Sequence, residues 1–150
     1  MITIISVGRE HDRHVRDAIV RYETRLRPPF DVRWLYIPYS RFEGERARDA
    51  ESEQIITKLP TGSRVILLDE VGRSVSSPEF AKLLDTHTAH APVTVVIGGA
   101  YGVNDQLRRH ADVVLSLSRL VFPHMLVRLL LVEQIYRAQE ITRGGSYHHT

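Results

Sequence analysis

The sequence predicts an α/β domain with a mostly parallel sheet flanked by helices, and three observations carry that reading. The apolar runs ITIISV from Ile2 and VTVVI from Val93 are continuous rather than alternating, as strands buried on both faces require. Segments with helical spacing separate such runs along the whole chain, which is the alternation of a parallel sheet with its crossover helices. The last helix-forming run, from Met125 to Ile141, is apolar on every side. It needs a cover beyond its own sheet, and a second copy of the chain is the simplest one.

In order, the first strand is Ile2 to Val7, closed by Gly8. His11 to Arg27 follows as a helix, with Val15, Ala18, Ile19, Tyr22 and Leu26 at helical spacing and Pro28-Pro29 as its stop. Val32 to Ile37 is a second strand ended by Pro38. Ser40 to Arg48, polar and charged around Gly44, is expected to be a mobile loop, and Ala47 to Leu59 a second helix. A third strand, Arg64 to Asp69, leads into a turn-rich piece containing Gly72 and Ser74. The third helix opens at Ser77-Pro78-Glu79, with Ser77 as cap, Pro78 at the first position, and Phe80, Leu83 and Leu84 facing inward.

Val93 to Ile97 is the fourth strand and runs straight into GGAYG. A short helix from about Asn104 to His110 precedes a fifth strand, Val113 to Leu117. The stretch SLSRLVFPHMLVR then passes into the long helix, with Pro123 at its first position. No linker, repeat or low-complexity segment divides residues 1–150, so one domain is expected.

Composition narrows the function classes. There is no cysteine, which excludes disulfides and thiolate metal sites. The apolar start is too short for a signal peptide, and no run reaches the roughly 18 apolar residues of a membrane span. A soluble, cytoplasmic protein is expected. Of 20 basic side chains only Lys58 and Lys82 are lysine, leaving 18 arginines at a net charge of +2. Arginine suits phosphate contacts and base stacking, so this balance permits a nucleic-acid partner, although a GC-rich genome would also produce it.

Ligands of open α/β sheets bind beyond the carboxyl ends of the strands, which singles out Asp69 to Ser76, Gly98 to Gly102 and Ser116 to Phe122. The glycine loop lets backbone approach a ligand, or else is an ordinary turn needing positive φ. It lacks the G-x-G-x-x-G order, no P-loop occurs, and no G-x-S-x-G elbow is present. His124 and Arg128 share a helical face; they form an anion site, or Arg128 pairs with a partner's carboxylate while His124 closes the turn. Glu133 and Arg137 have ion-pair spacing. His11 and His14 read as surface histidines, the polar tail from Arg143 as frayed, and His148-His149 lack the spacing of a zinc site, so no metal is expected.

MITIISVG at the start, VVIGGAYG in the middle, LSLSRLVFPHMLVRLLLVEQIYRAQEI, and a terminal GGSYHH together resemble the RlmH (YbeA-type) family of the SPOUT methyltransferase superfamily. The resemblance implies a C-terminal deep trefoil knot, a homodimer, S-adenosyl-L-methionine as cofactor, and methylation of a pseudouridine at N3 in 23S ribosomal RNA on the ribosome. The family's cofactor loops fall on Leu68, on Gly98 and Gly99, and on Leu117, Ser118, Arg119, Leu120, Val121 and Phe122. For proton removal the resemblance puts His148 first, beside Tyr147, and Glu133 second, with the tail acting across the dimer. Arg128 and His124 would hold phosphate or uracil-like carbonyls, Tyr136 would position the base, and His149 stands where the family has a basic residue. A non-catalytic RNA or ribosome-binding dimer would share the arginines and the long helix but need no cofactor loops. A small-molecule enzyme with a nucleotide cofactor would need a glycine fingerprint after the first strand, and there is none.

Overall fold

A computed structural model describes residues 1–149. Five parallel strands, β1 (Ile2–Val7), β2 (Val32–Ile37), β3 (Arg64–Ser74), β4 (Val93–Ile97) and β5 (Val113–Ser116), form one sheet in the order β2-β1-β4-β3-β5. Helices α1 (Arg13–Glu23), α3 (Ser77–His90) and α5 (His124–Arg143) cover one face, and α2 (Gly44–Lys58) and α4 (Asp105–His110) the other. The strand period of two divides the buried residues between the faces. Ile2 and Ile4 pack toward α1, α3 and α5, whereas Ile5 and Val7 pack toward α2 and α4. Because every strand is parallel, all carboxyl ends open on one edge. The order reverses direction between β1 and β4, the switch point at which such sheets take ligands.

Several expected boundaries move, each for a local reason. Helix α1 starts at Arg13 because the Asp12 carboxylate caps it, accepting from Val15 N–H at 3.0 Å, so His11 lies outside the helix. Its end comes at Glu23, before Pro28-Pro29 is reached. The stretch expected as a mobile loop shrinks to residues 38–43, since α2 begins at Gly44. Ser76, not Ser77, caps α3, in a reciprocal capping box with Glu79. Strand β5 stops at Ser116, and Pro123 sits at the cap of α5 with ψ of 147° rather than in its first turn.

The largest change is in β3. The expected turn-rich piece is strand, interrupted by a bulge: Leu68 and Arg73 both pair with Leu115, so residues 69–72 loop out between them. Gly72 lies flat on Leu115, where a Cβ would come within 2.5 Å of its carbonyl carbon. Asp69, Glu70 and Val71 are pushed over the carboxyl edge as a result.

Candidate functional site

Three strand ends converge on a cavity of about 530 Å³ at that edge, a size typical of small-molecule sites. The β4 loop supplies one wall. A Cβ on Gly98 would meet Val103 Cγ1 at 2.7 Å, and one on Gly99 would collide with the Glu51 carboxylate, so the backbone itself forms the surface there. The β5 loop supplies another, held in a tight turn by Ser116 Oγ donating to Ser118 O at 2.8 Å and Leu120 N–H donating to Ser118 Oγ at 3.0 Å. The β3 bulge closes the third side. Arg108 of α4 pins it, with Nε on Asp69 at 2.8 Å and Nη1 on Asp105 at 2.7 Å.

Of the cofactor positions expected from sequence, Leu68, Gly98 and Gly99 line this cavity, as do Leu117, Ser118, Leu120, Val121 and Phe122. Arg119 does not: it is exposed outside the wall. Leu120 and Val121 are 72% and 84% exposed, an apolar rim with no cover in the single chain.

His124 also lines the cavity. Burial, and then the Arg128 charge, hold its imidazole below the usual histidine range, with Glu51 opposing. Arg128 departs from the expected phosphate-gripping role. It is 0% exposed, and its guanidinium is committed to the end of β1, donating to Ser6 Oγ at 2.9 Å, Val7 O at 3.0 Å and Arg9 O at 2.7 Å. His11, expected at the surface, packs edge-on against Trp34 at 4.4 Å and reaches the Tyr36 hydroxyl at 3.2 Å. Burial and the neighbouring Arg128 lower its pKa to about 4. His14 is exposed as expected.

A second cluster gathers near the other end of α5. Glu133 Oε1 accepts from Arg137 Nη2 at 2.6 Å, Arg137 Nε at 3.1 Å and the Tyr147 hydroxyl at 3.1 Å, while Oε2 accepts from Gln134 at 2.6 Å. The tail is therefore docked rather than frayed. Arg137 stacks on the Tyr147 ring at 4.7 Å and lies 3.4 Å from His148 Nδ1. Tyr136 is enclosed in the core with its ring 4.8 Å from Tyr147, so it supports the tail instead of facing a base. Burial, then Tyr22 and Glu133, push the Tyr147 hydroxyl well above its ordinary pKa, and it stays a donor. His149 is exposed, and Thr150 of the expected tail lies outside the described residues.

The two groups of residues do not meet in one chain. A rise of roughly 1.5 Å per residue places Arg137 about 20 Å along α5 from His124. Sequence reasoning missed Arg48, Glu51 and Arg108, which surround the cavity or its glycine loop; Asp69 begins a strand-end loop that it did single out. No motif marks the three. Arg48 and Glu51 share a turn of a charged helix, which reads as solvated surface. Among the described residues, no group of three or more His, Cys, Asp or Glu is placed to hold a metal, and no helix is long and apolar enough to cross a membrane.

A family profile described as "Predicted SPOUT methyltransferase" matches residues 1–148. A relative from Geobacter sulfurreducens, named ribosomal RNA large subunit methyltransferase H, is 40% identical over 154 residues, covering 99% of each chain. One of the same name from Syntrophotalea carbinolica is 38% identical over 153 residues, covering 99% of this chain and 98% of that one. A solved structure titled as a probable methylase family protein from Haemophilus influenzae Rd KW20 superposes with a TM-score of 0.59 over 99% of this chain and 70% of that one; at 14% identity the likeness is one of fold.

Proposed function

The chain belongs to the SPOUT methyltransferase family, and from that premise we propose that it methylates N3 of a pseudouridine in 23S ribosomal RNA, using S-adenosyl-L-methionine. The observation that carries this reading is the convergence of the β3, β4 and β5 ends on one cavity walled by bare glycine backbone, by apolar side chains and by charged groups including Arg48, Asp69 and Arg108. The residues fit a nucleoside-bearing cofactor. Gly98 and Gly99 offer backbone at close approach, and Leu117, Leu120, Val121 and Phe122 form an apolar sleeve for an adenine ring. The trefoil knot of the family is assigned to the chain beyond β4.

When bound, the cofactor supplies an electrophilic methyl group, and the remaining tasks fall to this chain's side chains. N3 carries a proton that must leave as the nitrogen attacks, so a proton acceptor has to stand beside the base. Glu133 already accepts four hydrogen bonds, which assigns it to fixing Arg137 and Tyr147. His148 is the acceptor in this reading. Its distance along α5 from the cavity is the reason to assign it to the site of a second copy, where a two-fold dimer would supply both halves twice. Leu120, Val121 and Leu126 give that dimer exposed apolar surface beside the cavity. His124 and His149 stay on the RNA-facing side, while Arg128 shapes the β1 end from behind.

The test is incubation with labelled cofactor and intact ribosomes, isolated subunits or free rRNA, followed by mapping of the modified base. Label on a pseudouridine N3, strongest with ribosomes, is the expected result. A folded protein that binds no S-adenosyl-L-methionine in calorimetry refutes the reading. As an enzyme of ribosomal RNA it is assigned to the cytoplasm.

A further inference from the structure

Among the described residues, three buried side-chain polar atoms find no hydrogen-bond partner: Asp31 Oδ1, Arg48 Nε and Glu51 Oε2. Asp31 lies by the amino terminus, 3.4 Å from the Met1 amine. The other two are three residues apart on α2, hence neighbours on one face, and opposite in charge. They form no ion pair with each other. Arg48 has only loose contacts at 3.5 Å to Glu45 and 3.9 Å to Asp49.

Glu51 is the stronger anomaly. It is 4% exposed, a depth at which carboxylates are rare unless paired with a cation. Ser40 N–H holds Oε1 at 3.0 Å, fixing the side chain in place. The free Oε2 is pressed against Gly99, with a Val7 methyl beside the same glycine. Val7 ends β1 and Gly99 follows the end of β4, so the carboxylate stands outside the switch point of the sheet, where a ligand is expected. Arg48 lines the cavity itself.

A carboxylate oxygen without a partner behind the Gly99 wall of the cavity and, one helical turn away, an arginine on the cavity wall whose Nε lacks a hydrogen bond together match a zwitterion. We propose that Glu51 and Arg48 bind the α-amino-acid end of the methyl donor, Glu51 accepting from its ammonium and Arg48 donating to its carboxylate. The assignment rests on the methyltransferase reading. It adds α2 to a site otherwise built from strand-end loops, and explains why Gly99 must lack a side chain: a Cβ there would displace the carboxylate.

Three probes separate the possibilities in calorimetry: S-adenosyl-L-methionine, S-adenosyl-L-homocysteine, which lacks the sulfonium charge, and 5′-methylthioadenosine, which lacks the amino-acid end. Glu51→Gln and Arg48→Gln should each weaken the first two about tenfold or more and leave methylthioadenosine within about twofold. A parallel loss for methylthioadenosine would show a merely structural role and overturn the proposal. So would unchanged affinity for all three probes. Loss confined to S-adenosyl-L-methionine would move Glu51 to the sulfonium and refute the amino-acid assignment. Glu51→Gln keeps an acceptor for Ser40; if it nevertheless melts early, Arg48→Gln, at a partly exposed position, decides alone. Failure of the unmodified protein to bind any probe would sink the methyltransferase reading itself, a different outcome from each of these.

Discussion

The two ends of α5 solve different problems with different materials. At the His124 end, walls of backbone, apolar side chains and a few charged groups, fixed by glycines, a bulge and one tight turn, form a cavity. At the Arg137 end stands a dense net of charged and phenolic groups, in which Glu133 holds Arg137 and Tyr147 and brings His148 alongside. The first end can hold a cofactor and has His124 on its wall. The second carries His148, the proposed acceptor, beside Arg137. Within one chain about 20 Å of helix separates them, so in the proposed reading each half is completed by a second copy that brings the opposite end of its own α5.

The sharpest way to break this division is to damage each end and ask whether the other notices. His148→Ala should lower the methyl-transfer rate by about 10² to 10⁴, the usual worth of a positioned acid or base, while calorimetry finds cofactor affinity unchanged. Equal loss of both would place the tail at the cofactor. Gly98→Val should do the reverse. Its side chain would drive into Val103 and the Gly102 carbonyl, weakening cofactor binding about 100-fold and costing about 1 to 3 kcal/mol of stability by overpacking, with the tail cluster intact. Mixing these two inactive variants should restore activity if the halves come from different copies, and no recovery on subunit exchange would refute a shared site.

The cavity end was the more legible of the two because it is built by backbone. Continuous β-branched runs place the strands, parallel strands put their carboxyl ends together, and glycines mark close approach, so the loops Gly98 to Gly102 and Ser116 to Phe122 could be singled out by position alone. Side-chain commitments do not follow from such patterns. Arg128 at i+4 from His124 reads as a ligand-facing pair, but only the register of β1 shows that Ser6, Val7 and Arg9 take its donors. Glu51 is hidden in the same way, its burial depending on Gly99 from a strand 48 residues away in sequence. The β3 bulge was missed because Gly72 signals a turn locally and is flattened into the sheet only by Leu115.

Arg128→Met tests the reassignment directly. Removing a buried guanidinium leaves the Val7 and Arg9 carbonyls and the Ser6 hydroxyl short of donors, so stability should fall by about 2 to 4 kcal/mol in denaturant unfolding. Cofactor affinity should fall only as far as the β1 end moves. RNA affinity should keep its salt slope, because a residue that is not on phosphate releases no counterion. A shallower slope would return Arg128 to the phosphate-binding role.

The smallest expected effect is a pH dependence belonging to the cavity end alone. His11 touches Arg128 and titrates at about 4 in the folded protein against an ordinary 6.5. Between those values the unfolded chain binds a proton that the folded chain refuses, so stability is undiminished above pH 6.5 and drains away as pH falls toward 4. His124, depressed in the same direction, adds to the loss below pH 6.5. Because His11 is half-exposed, solvent screening reduces its share to about 1 kcal/mol. His11→Gln should flatten the slope of the melting temperature over this range without altering Tyr147 or Glu133. Trp34, the only tryptophan, lies 4.4 Å from the His11 ring and supplies a local readout. Its fluorescence should quench with a midpoint near 4 in the parent chain and lose that step in His11→Gln, and a midpoint near 6.5 would mean the imidazole is solvated and the packing around Arg128 looser than the structure has it.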